Sequence, residues 1–169
     1  MNSFEKLQSA VKEKESLLCV GIDPSLEKLP LHFKNEPSSI LDFSKAIIDA
    51  TSEFAAAFKL NFAFFEQYGT EGFEILKNLF DYIPKDIFTI ADAKRGDIGN
   101  TSAAYARSVF DFFGADSVTV NPYMGYDSVS PFLDYKDKMT FILSLTSNSG
   151  SDDFQRLRAG KIDVFQHVI

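Results

Sequence analysis

The stretch Ile87-Phe-Thr-Ile-Ala-Asp-Ala-Lys-Arg-Gly-Asp-Ile-Gly-Asn-Thr101 decides the fold of this chain. It opens with an apolar run of strand length and places Asp92, Lys94 and Asp97 directly after it. Residues i and i+2 of a strand face the same side, so Asp92 and Lys94 share a face if the strand persists that far. The stretch therefore predicts a buried strand that presents charged groups at its carboxyl end.

Short apolar runs and amphipathic segments alternate along the whole chain. The predicted strands are Leu17–Ile22, Ala55–Phe62, Ile87–Asp92, Ser117–Asn121 and Thr140–Thr146. The predicted helices that follow them are Ser39–Phe54, Glu66–Phe80, Thr101–Phe113, Tyr126–Asp137 and Asp152–Val168. The first of these helices carries a predicted apolar stripe of Ile40, Phe43, Ile47, Ala50 and Phe54. Ser38 and Asn100 stand where helix N-caps are expected.

Alternating strands and helices are typical of a parallel sheet with helices outside it. Five strand–helix units fit either a doubly wound open sheet or part of a TIM (β/α)8 barrel, which normally needs about 250 residues. The first strand is followed by Gly21-Ile-Asp-Pro-Ser, with one glycine, which disfavours a dinucleotide-binding Rossmann fold. No linker or repeat interrupts the pattern, so we predict one α/β domain over residues 1–169.

Composition excludes several classes of function. The chain has 169 residues, of which 45% are hydrophobic, and a formal net charge of −7, which argues against a nucleic-acid partner. The amino terminus lacks the apolar run of a signal peptide, and no stretch is long enough to span a membrane. The single cysteine, Cys19, excludes an internal disulfide, favours a cytoplasmic location and is predicted to lie in the core.

Polar residues gather at the predicted carboxyl ends of the strands, where parallel α/β folds bind their ligands. They are Asp23, Lys59 and Asn61, Asp92 and Lys94, Thr119 and Asn121, and Thr146 and Ser147. Burying a lone lysine among phenylalanines is costly, so Lys59 is expected to point into a shared polar site.

Two lysines and two aspartates in one partly dry site would keep each other paired and the lysines protonated. A protonated lysine held against a reacting carbon can stabilise a carbanion and then protonate it, without a metal or an organic cofactor. The competing interpretation of this segment is a solvated loop whose charges merely pair with one another.

Five segments resemble orotidine 5′-phosphate decarboxylases of the longer bacterial type 2 branch. They are Gly21-Ile-Asp23-Pro, Phe58-Lys59-Leu-Asn61, Asp92-Ala-Lys94-Arg-Gly-Asp97-Ile-Gly-Asn-Thr101, Val120-Asn-Pro-Tyr-Met-Gly-Tyr-Asp127 and Thr146-Ser-Asn-Ser-Gly150-Ser-Asp-Asp-Phe-Gln155. The resemblance implies a TIM barrel that converts orotidine 5′-phosphate to UMP and CO2, the last step of de novo UMP biosynthesis, with no cofactor.

The resemblance also implies individual roles. Lys94 would donate a proton to C6 of the pyrimidine, and Asp92 would lie beside the departing carboxylate. Lys59 would contact the ribose and Asp92, while Asp23 would bind a ribose hydroxyl. Ser147 would read the pyrimidine ring.

Two further residues, Asp97 and Thr101, are implied to reach into the active site of a neighbouring subunit. Asp97 would complete the catalytic set and Thr101 would bind substrate, so a homodimer with shared active sites is expected. The chain departs from the family at Ser149, where relatives carry proline, and in ending at Ile169. We expect a fragment without the phosphate-binding loop and arginine, poorly active or inactive alone.

Other functions stay open at this point. Metal-dependent 3-keto-gulonate-6-phosphate decarboxylases and hexulose-phosphate synthases share the D-x-K-x-x-D segment but carry an acidic residue in place of Lys59. A Schiff-base aldolase needs a deprotonated lysine, which the neighbouring aspartates disfavour. A non-catalytic module is the remaining class. His32 and His167 have no partner at ligand spacing and are expected to serve surface or packing roles.

Overall fold

The fold is a parallel sheet, seen in a computed structural model that describes residues 1–33 and 36–169. Its strands are β1 (Cys19–Ile22), β2 (Ala57–Asn61), β3 (Phe88–Arg95), β4 (Ser117–Val120) and β5 (Met139–Ile142). The sheet order is β1-β2-β3-β4-β5 and every pair is parallel. A doubly wound sheet reverses its strand order at a switch point, whereas this unbroken order is that of a TIM barrel.

As predicted, a helix precedes β1 and helices follow the first four strands. The helices are α1 (Ser3–Lys14), α2 (Ser38–Thr51), α3 (Ala63–Glu66), α4 (Gly69–Tyr82), α5 (Gly99–Arg107), α6 (Tyr126–Leu133) and α7 (Val164–Val168). Helix α5 continues into a π-helical segment at Ser108–Phe112. Among the described residues, no helix combines the length and the apolar character that a membrane crossing requires.

The predicted helix over Asp152–Val168 is wrong. That region holds the end of a 3-10 turn (Ser149–Asp153), an antiparallel hairpin of β6 (Arg158–Ala159) and β7 (Ile162–Asp163), and only then α7. Gly160 adopts a φ of +71°, which a helix interior does not allow, and it turns the chain back on itself.

Two predicted helix N-caps are also wrong. Ser38 and Asn100 lie inside α2 and α5, whose N-cap positions are Pro37 and Ile98. Neither capping position supplies a side-chain hydrogen bond. Packing of the helices on the sheet therefore sets where they begin more strongly than capping does.

The predicted apolar stripe of α2 is displaced by part of a turn. Ala50 and Phe54 are exposed, whereas Ile40, Ser44 and Ile48 form the buried row. Cys19, predicted to be a core residue, is exposed as well. It lies on β1, which stands at the edge of the sheet and, within residues 1–33 and 36–169, pairs with β2 alone.

Phenylalanine rings fill the core between the sheet and its helices. Phe62 packs edge-on against Phe113 with ring centroids 5.0 Å apart, and against Phe80 at 6.2 Å. Each fully buried ring contributes about 1.5 to 3 kcal/mol relative to an exposed one. This packing joins the end of β2 to α4 and to the segment that follows α5.

Helix α1 is anchored to the amino-terminal edge of the sheet by a nearly buried ion pair. Lys6 Nζ lies 2.7 Å from Asp116 Oδ2, and the two side chains are 15% and 13% exposed. The same carboxylate oxygen accepts hydrogen bonds from the backbone amide and the hydroxyl of Thr89, each at 2.9 Å. Ser3 N donates to Asp137 O at 2.8 Å. These contacts lie at the end of the sheet that barrels use for stability.

Gly72 places α4 directly against the backbone of α3. A β-carbon at this position would stand 1.8 Å from the carbonyl oxygen of Phe65, which cannot move without displacing α3. We expect Gly72→Ala to lower the free energy of unfolding by about 1 to 3 kcal/mol, although alanine normally favours a helix by about 1 kcal/mol. Urea denaturation measures the difference.

The matched control for this substitution is Gly21→Ala. Nothing lies within 4 Å of a β-carbon at Gly21, so its effect on the free energy of unfolding should be small. Equal free energies of unfolding for the two variants would contradict the steric argument.

Candidate active site

Four charged side chains meet at the carboxyl edge of the sheet. Lys59 Nζ lies 3.1 Å from Asp92 Oδ2 and 3.7 Å from Asp23 Oδ1, and Lys94 Nζ lies 2.7 Å from Asp92 Oδ1. They form one alternating chain of charges, Asp23–Lys59–Asp92–Lys94, which we call the charged row. Asp92 is only 9% exposed, so the interpretation of this segment as a solvated loop is wrong for its central carboxylate.

Strand alternation places Lys59 in the charged row. Along β2, Phe58 and Leu60 are fully buried, whereas Lys59 and Asn61 are partly exposed on the opposite face. Asn61 pairs in register with Asp92 of β3. The prediction that Lys59 points into a shared polar site is confirmed by its contacts with two aspartates.

Lys94 reaches Asp92 by a route that simple alternation does not predict. Ala91 pairs with Val118 and Arg95 pairs with Val120, so β3 advances four residues while β4 advances two. The resulting bulge puts Lys94 in the left-handed region, with a φ of +48°. Such a conformation costs a non-glycine residue about 1 to 3 kcal/mol and is concentrated at functional sites.

Thr119 of β4 joins the charged row through its hydroxyl. The hydroxyl donates to Asp92 Oδ1 at 2.8 Å and accepts from the Lys94 backbone amide at 3.0 Å. Thr119 is one of the polar groups predicted at the strand ends, but it was not predicted to be a site residue. Its place between the buried Val118 and Val120 is the signal that could have identified it.

Arg95 anchors the chain immediately after Lys94. Its guanidinium forms an ion pair with Glu66 and lies over two aromatic rings, 5.6 Å from the centroid of Phe62 and 5.2 Å from that of Tyr105. Such contacts contribute about 0.5 to 2 kcal/mol each. Arg95 was not among the predicted site residues, because its partners come from two separate segments, Phe62 and Glu66 at α3 and Tyr105 on α5.

Three predicted site residues lie outside the charged row. Within residues 1–33 and 36–169, the Asp97 carboxylate accepts a hydrogen bond from Ile98 N at 2.7 Å and forms no ion pair. Thr101 is exposed on α5, and Ser147 is exposed in the loop after β5. One copy of the chain therefore brings together Asp23, Lys59, Asp92 and Lys94, but not these three.

The loop that carries Ser147 is held by Gln155. Thr146 N donates to Gln155 Oε1 at 2.7 Å, and Gln155 Nε2 donates to Thr146 Oγ1 at 2.9 Å. A cavity of about 570 Å³ opens beside this loop, and Asn121 and Leu143 line it from the ends of β4 and β5. The same edge of the sheet thus supplies both the charged row and a mostly apolar recess.

The electrostatics of the charged row favour an ionised Asp92. Burial alone would raise the pKa of this carboxyl, but hydrogen bonds from Lys94, Thr119 and Lys59 outweigh it and hold the pKa below its ordinary value. The contribution of Asp92 to stability is therefore present above the ordinary aspartate pKa. It is lost as the pH falls through the lowered folded-state value.

Replacing Lys59 with methionine is expected to raise the pKa of Asp92, because it removes both a hydrogen bond and a neighbouring positive charge. Titration of the Asp92 side-chain carbon by NMR measures this change. Lys77→Met, which removes an exposed lysine on α4, is the control and should leave the Asp92 titration where it was. An Asp92 pKa that is the same in Lys59→Met and in Lys77→Met would contradict the electrostatic account.

A sequentially ordered parallel sheet with its charged side chains at the carboxyl edge is the arrangement of a (β/α)-barrel enzyme. The model of the orotidine 5′-phosphate decarboxylase / HUMPS family matches residues 16–168. The chain belongs to this family. The barrel-type architecture predicted from the sequence is thereby confirmed for the five β/α units described above.

Curated relatives support the assignment. The chain is 52% identical to an orotidine 5′-phosphate decarboxylase of Porphyromonas gingivalis strain W83, covering 98% of this chain and 61% of the relative. It is 51% identical to one of Dehalococcoides mccartyi strain BAV1, covering 94% of this chain and 57% of the relative. The chain thus spans about three fifths of the length of these relatives.

Solved structures agree. The structure of Leishmania donovani OMP decarboxylase superposes with a TM-score of 0.90 at 42% identity, covering 99% of this chain and 63% of that one. The structure of Leishmania donovani UMP synthase gives the same TM-score and identity, covering 99% of this chain and 35% of that one.

Proposed function

We propose that the complete natural protein converts orotidine 5′-phosphate to UMP and CO2 as a carboxy-lyase, the last step of de novo UMP biosynthesis. The observation that carries the proposal is the Asp92 carboxylate held between the ammonium groups of Lys59 and Lys94, at 3.1 and 2.7 Å, in a member of this family. Residues 1–169 would form one domain that carries the charged row. The single cysteine favours a cytoplasmic location.

Lys94 is the proposed proton donor. Loss of CO2 leaves an electron pair on C6 of the pyrimidine, and the Lys94 ammonium gives a proton to that carbon to form UMP. Its positive charge also stabilises the carbanion before protonation. Asp92 would lie beside the departing carboxylate, where two neighbouring negative charges would disfavour the bound substrate.

The remaining residues of the charged row would bind the ribose. Lys59 and Asp23 together offer an ammonium donor and a carboxylate acceptor 3.7 Å apart, a spacing that suits a pair of hydroxyl groups. Asp23 is exposed at the end of β1, so its carboxylate is open to a ligand. Ser147, in the loop after β5, would hydrogen-bond the pyrimidine ring.

A homodimer with shared active sites is the proposed assembly. Asp97 and Thr101 do not join the charged row of their own chain, and Ile98 between them is exposed. Mixing Lys94→Ala and Asp97→Ala proteins tests the arrangement, because each mixed dimer would hold one site with both residues intact. Recovery of activity on mixing is expected, and its absence would contradict shared sites.

The reaction is proposed to need no metal. In the related metal-dependent class the position of Lys59 is acidic, whereas here its ammonium lies between Asp23 and Asp92 and already supplies a positive charge. The activity of the complete protein is expected to survive EDTA. Loss of activity that magnesium restores would favour the metal-dependent class instead.

The direct test is an assay of the complete protein with orotidine 5′-phosphate. Loss of substrate absorbance with formation of one UMP and one CO2 for each substrate is the expected result. Inactivity toward orotidine 5′-phosphate, together with decarboxylation of a six-carbon keto-acid phosphate, would replace the proposal with the metal-dependent alternative.

A further inference from the structure

The bulge in β3 gives one backbone amide a side-chain partner on β4. Between the pairs Ala91–Val118 and Arg95–Val120, three residues of β3 face the single residue Thr119 of β4. The Lys94 amide lies in this interval and donates to the Thr119 hydroxyl at 3.0 Å. A side chain thus supplies the acceptor that a carbonyl supplies in a regular ladder.

The direction of both hydrogen bonds follows from chemistry. A backbone amide can only donate and an ionised carboxylate can only accept, so the hydroxyl proton of Thr119 must point to Asp92 Oδ1, 2.8 Å away. One hydroxyl therefore ties the backbone of Lys94 to the carboxylate that pairs with the Lys94 side chain. Only serine and threonine place such a group so close to their own strand.

Few other contacts fix the conformation of Lys94. Its side chain is 52% exposed, so packing does not fix the direction of its ammonium group. Its neighbours are better anchored, because Asp92 is held by Lys59 and Arg95 by Glu66 and two rings. The strained backbone of Lys94 lies between them and depends on the Thr119 hydroxyl.

We infer that Thr119 is a positioning residue, whose hydroxyl holds the β3 bulge in the one conformation that aims Lys94 Nζ at the reacting carbon. The catalytic part of this inference rests on the proposed function. The structural part, the dependence of the Lys94 conformation on one hydroxyl, does not.

Kinetics of three variants of the complete protein test the catalytic part. A displacement of about 1 Å can cost roughly 100-fold in rate, so Thr119→Val is expected to lower kcat about 100-fold. KM should change little, since Thr119 itself lies outside the proposed substrate contacts. Thr119→Ser keeps the hydroxyl and should restore most of kcat. Thr140→Val on β5 is the matched control, because among the described residues its hydroxyl forms no side-chain hydrogen bond.

Exchange of the Lys94 amide hydrogen with solvent tests the structural part without any substrate. The amide should be protected in the wild type and in Thr119→Ser, and should exchange roughly tenfold faster or more in Thr119→Val. If valine prevents folding, Thr119→Ala removes the same hydroxyl without adding bulk, and the same two measurements apply to it.

The outcomes separate the two proposals. An unchanged kcat in a folded Thr119→Val or Thr119→Ala protein, or a serine variant as slow as valine, would overturn the positioning role. Unchanged protection of the Lys94 amide would overturn it as well. A wild-type protein that does not decarboxylate orotidine 5′-phosphate would remove the proposed function, while amide exchange would still decide whether the hydroxyl holds the bulge.

Discussion

Lys94→Ala is expected to lower the rate of orotidine 5′-phosphate decarboxylation by about 10⁴-fold or more in the complete protein. The variant loses both the group that protonates the pyrimidine carbon and the charge that stabilises the preceding carbanion. The fold should persist, because the Lys94 side chain is half exposed and makes one hydrogen bond, to Asp92. Spectrophotometric kcat and the circular dichroism spectrum measure the two effects.

Lys77→Ala is the matched control for this substitution. Lys77 lies on α4 and pairs with Asp81 of the same helix, outside the charged row. Its removal should leave kcat within a factor of about two, as expected for an exposed helical ion pair. A Lys94→Ala protein that kept a tenth of the wild-type rate would refute the assignment of Lys94 as proton donor.

Asp116→Ala is expected to lower the free energy of unfolding by about 3 to 5 kcal/mol, the range found when one partner of a buried ion pair is removed. The substitution leaves the Lys6 ammonium and the Thr89 amide without their shared acceptor. For a protein of this size the melting temperature should fall by about 10 °C. Thermal and urea denaturation give both quantities.

The control for this prediction is Asp81→Ala, which breaks an ion pair on the surface whose N–O distance is similar. Lys77 Nζ lies 2.6 Å from Asp81 Oδ1, but Asp81 is exposed, so its loss should cost less than about 1 kcal/mol. Similar costs for the two substitutions would mean that Lys6 and Asp116 contribute no more than a surface pair does.

The parallel β/α architecture and the centre of the site could be predicted from the sequence. Each observed strand of the parallel sheet overlaps a predicted apolar run, since a strand covered on both faces needs nearly continuous apolar residues. Lys59 and Asp92 could be placed together because two-residue alternation and the shared carboxyl edge are local rules. These rules act within one strand or between neighbouring strands.

The bulge of β3 could not be predicted by the same rules. It arises from the register between β3 and β4, which depends on packing and not on the residues of either strand alone. The sequence therefore does not distinguish Thr119 from the other polar residues at the strand ends. The stacked guanidinium of Arg95 was missed for a similar reason, because Phe62, Glu66 and Tyr105 meet it only in three dimensions.

The sequence after β5 predicts a helix because its apolar residues fit a helical period as well as others. A glycine with a positive φ and a short hairpin interrupt it, and α7 begins only at Val164. The roles of Asp97 and Thr101 stay predictions for a different reason, because they concern a second copy of the chain.

The unbroken strand order affects how the protein can fold while it is synthesised on the ribosome. Each strand of the sheet pairs with the strand made just before it, so hydrogen-bonding partners are available as soon as a new strand emerges. Helix α1 is the exception, because its nearly buried ion pair and its backbone hydrogen bond are made to Asp116 and Asp137, far along the chain. Helix α1, the first to be synthesised, can therefore dock in its final position only after most of the sheet has formed.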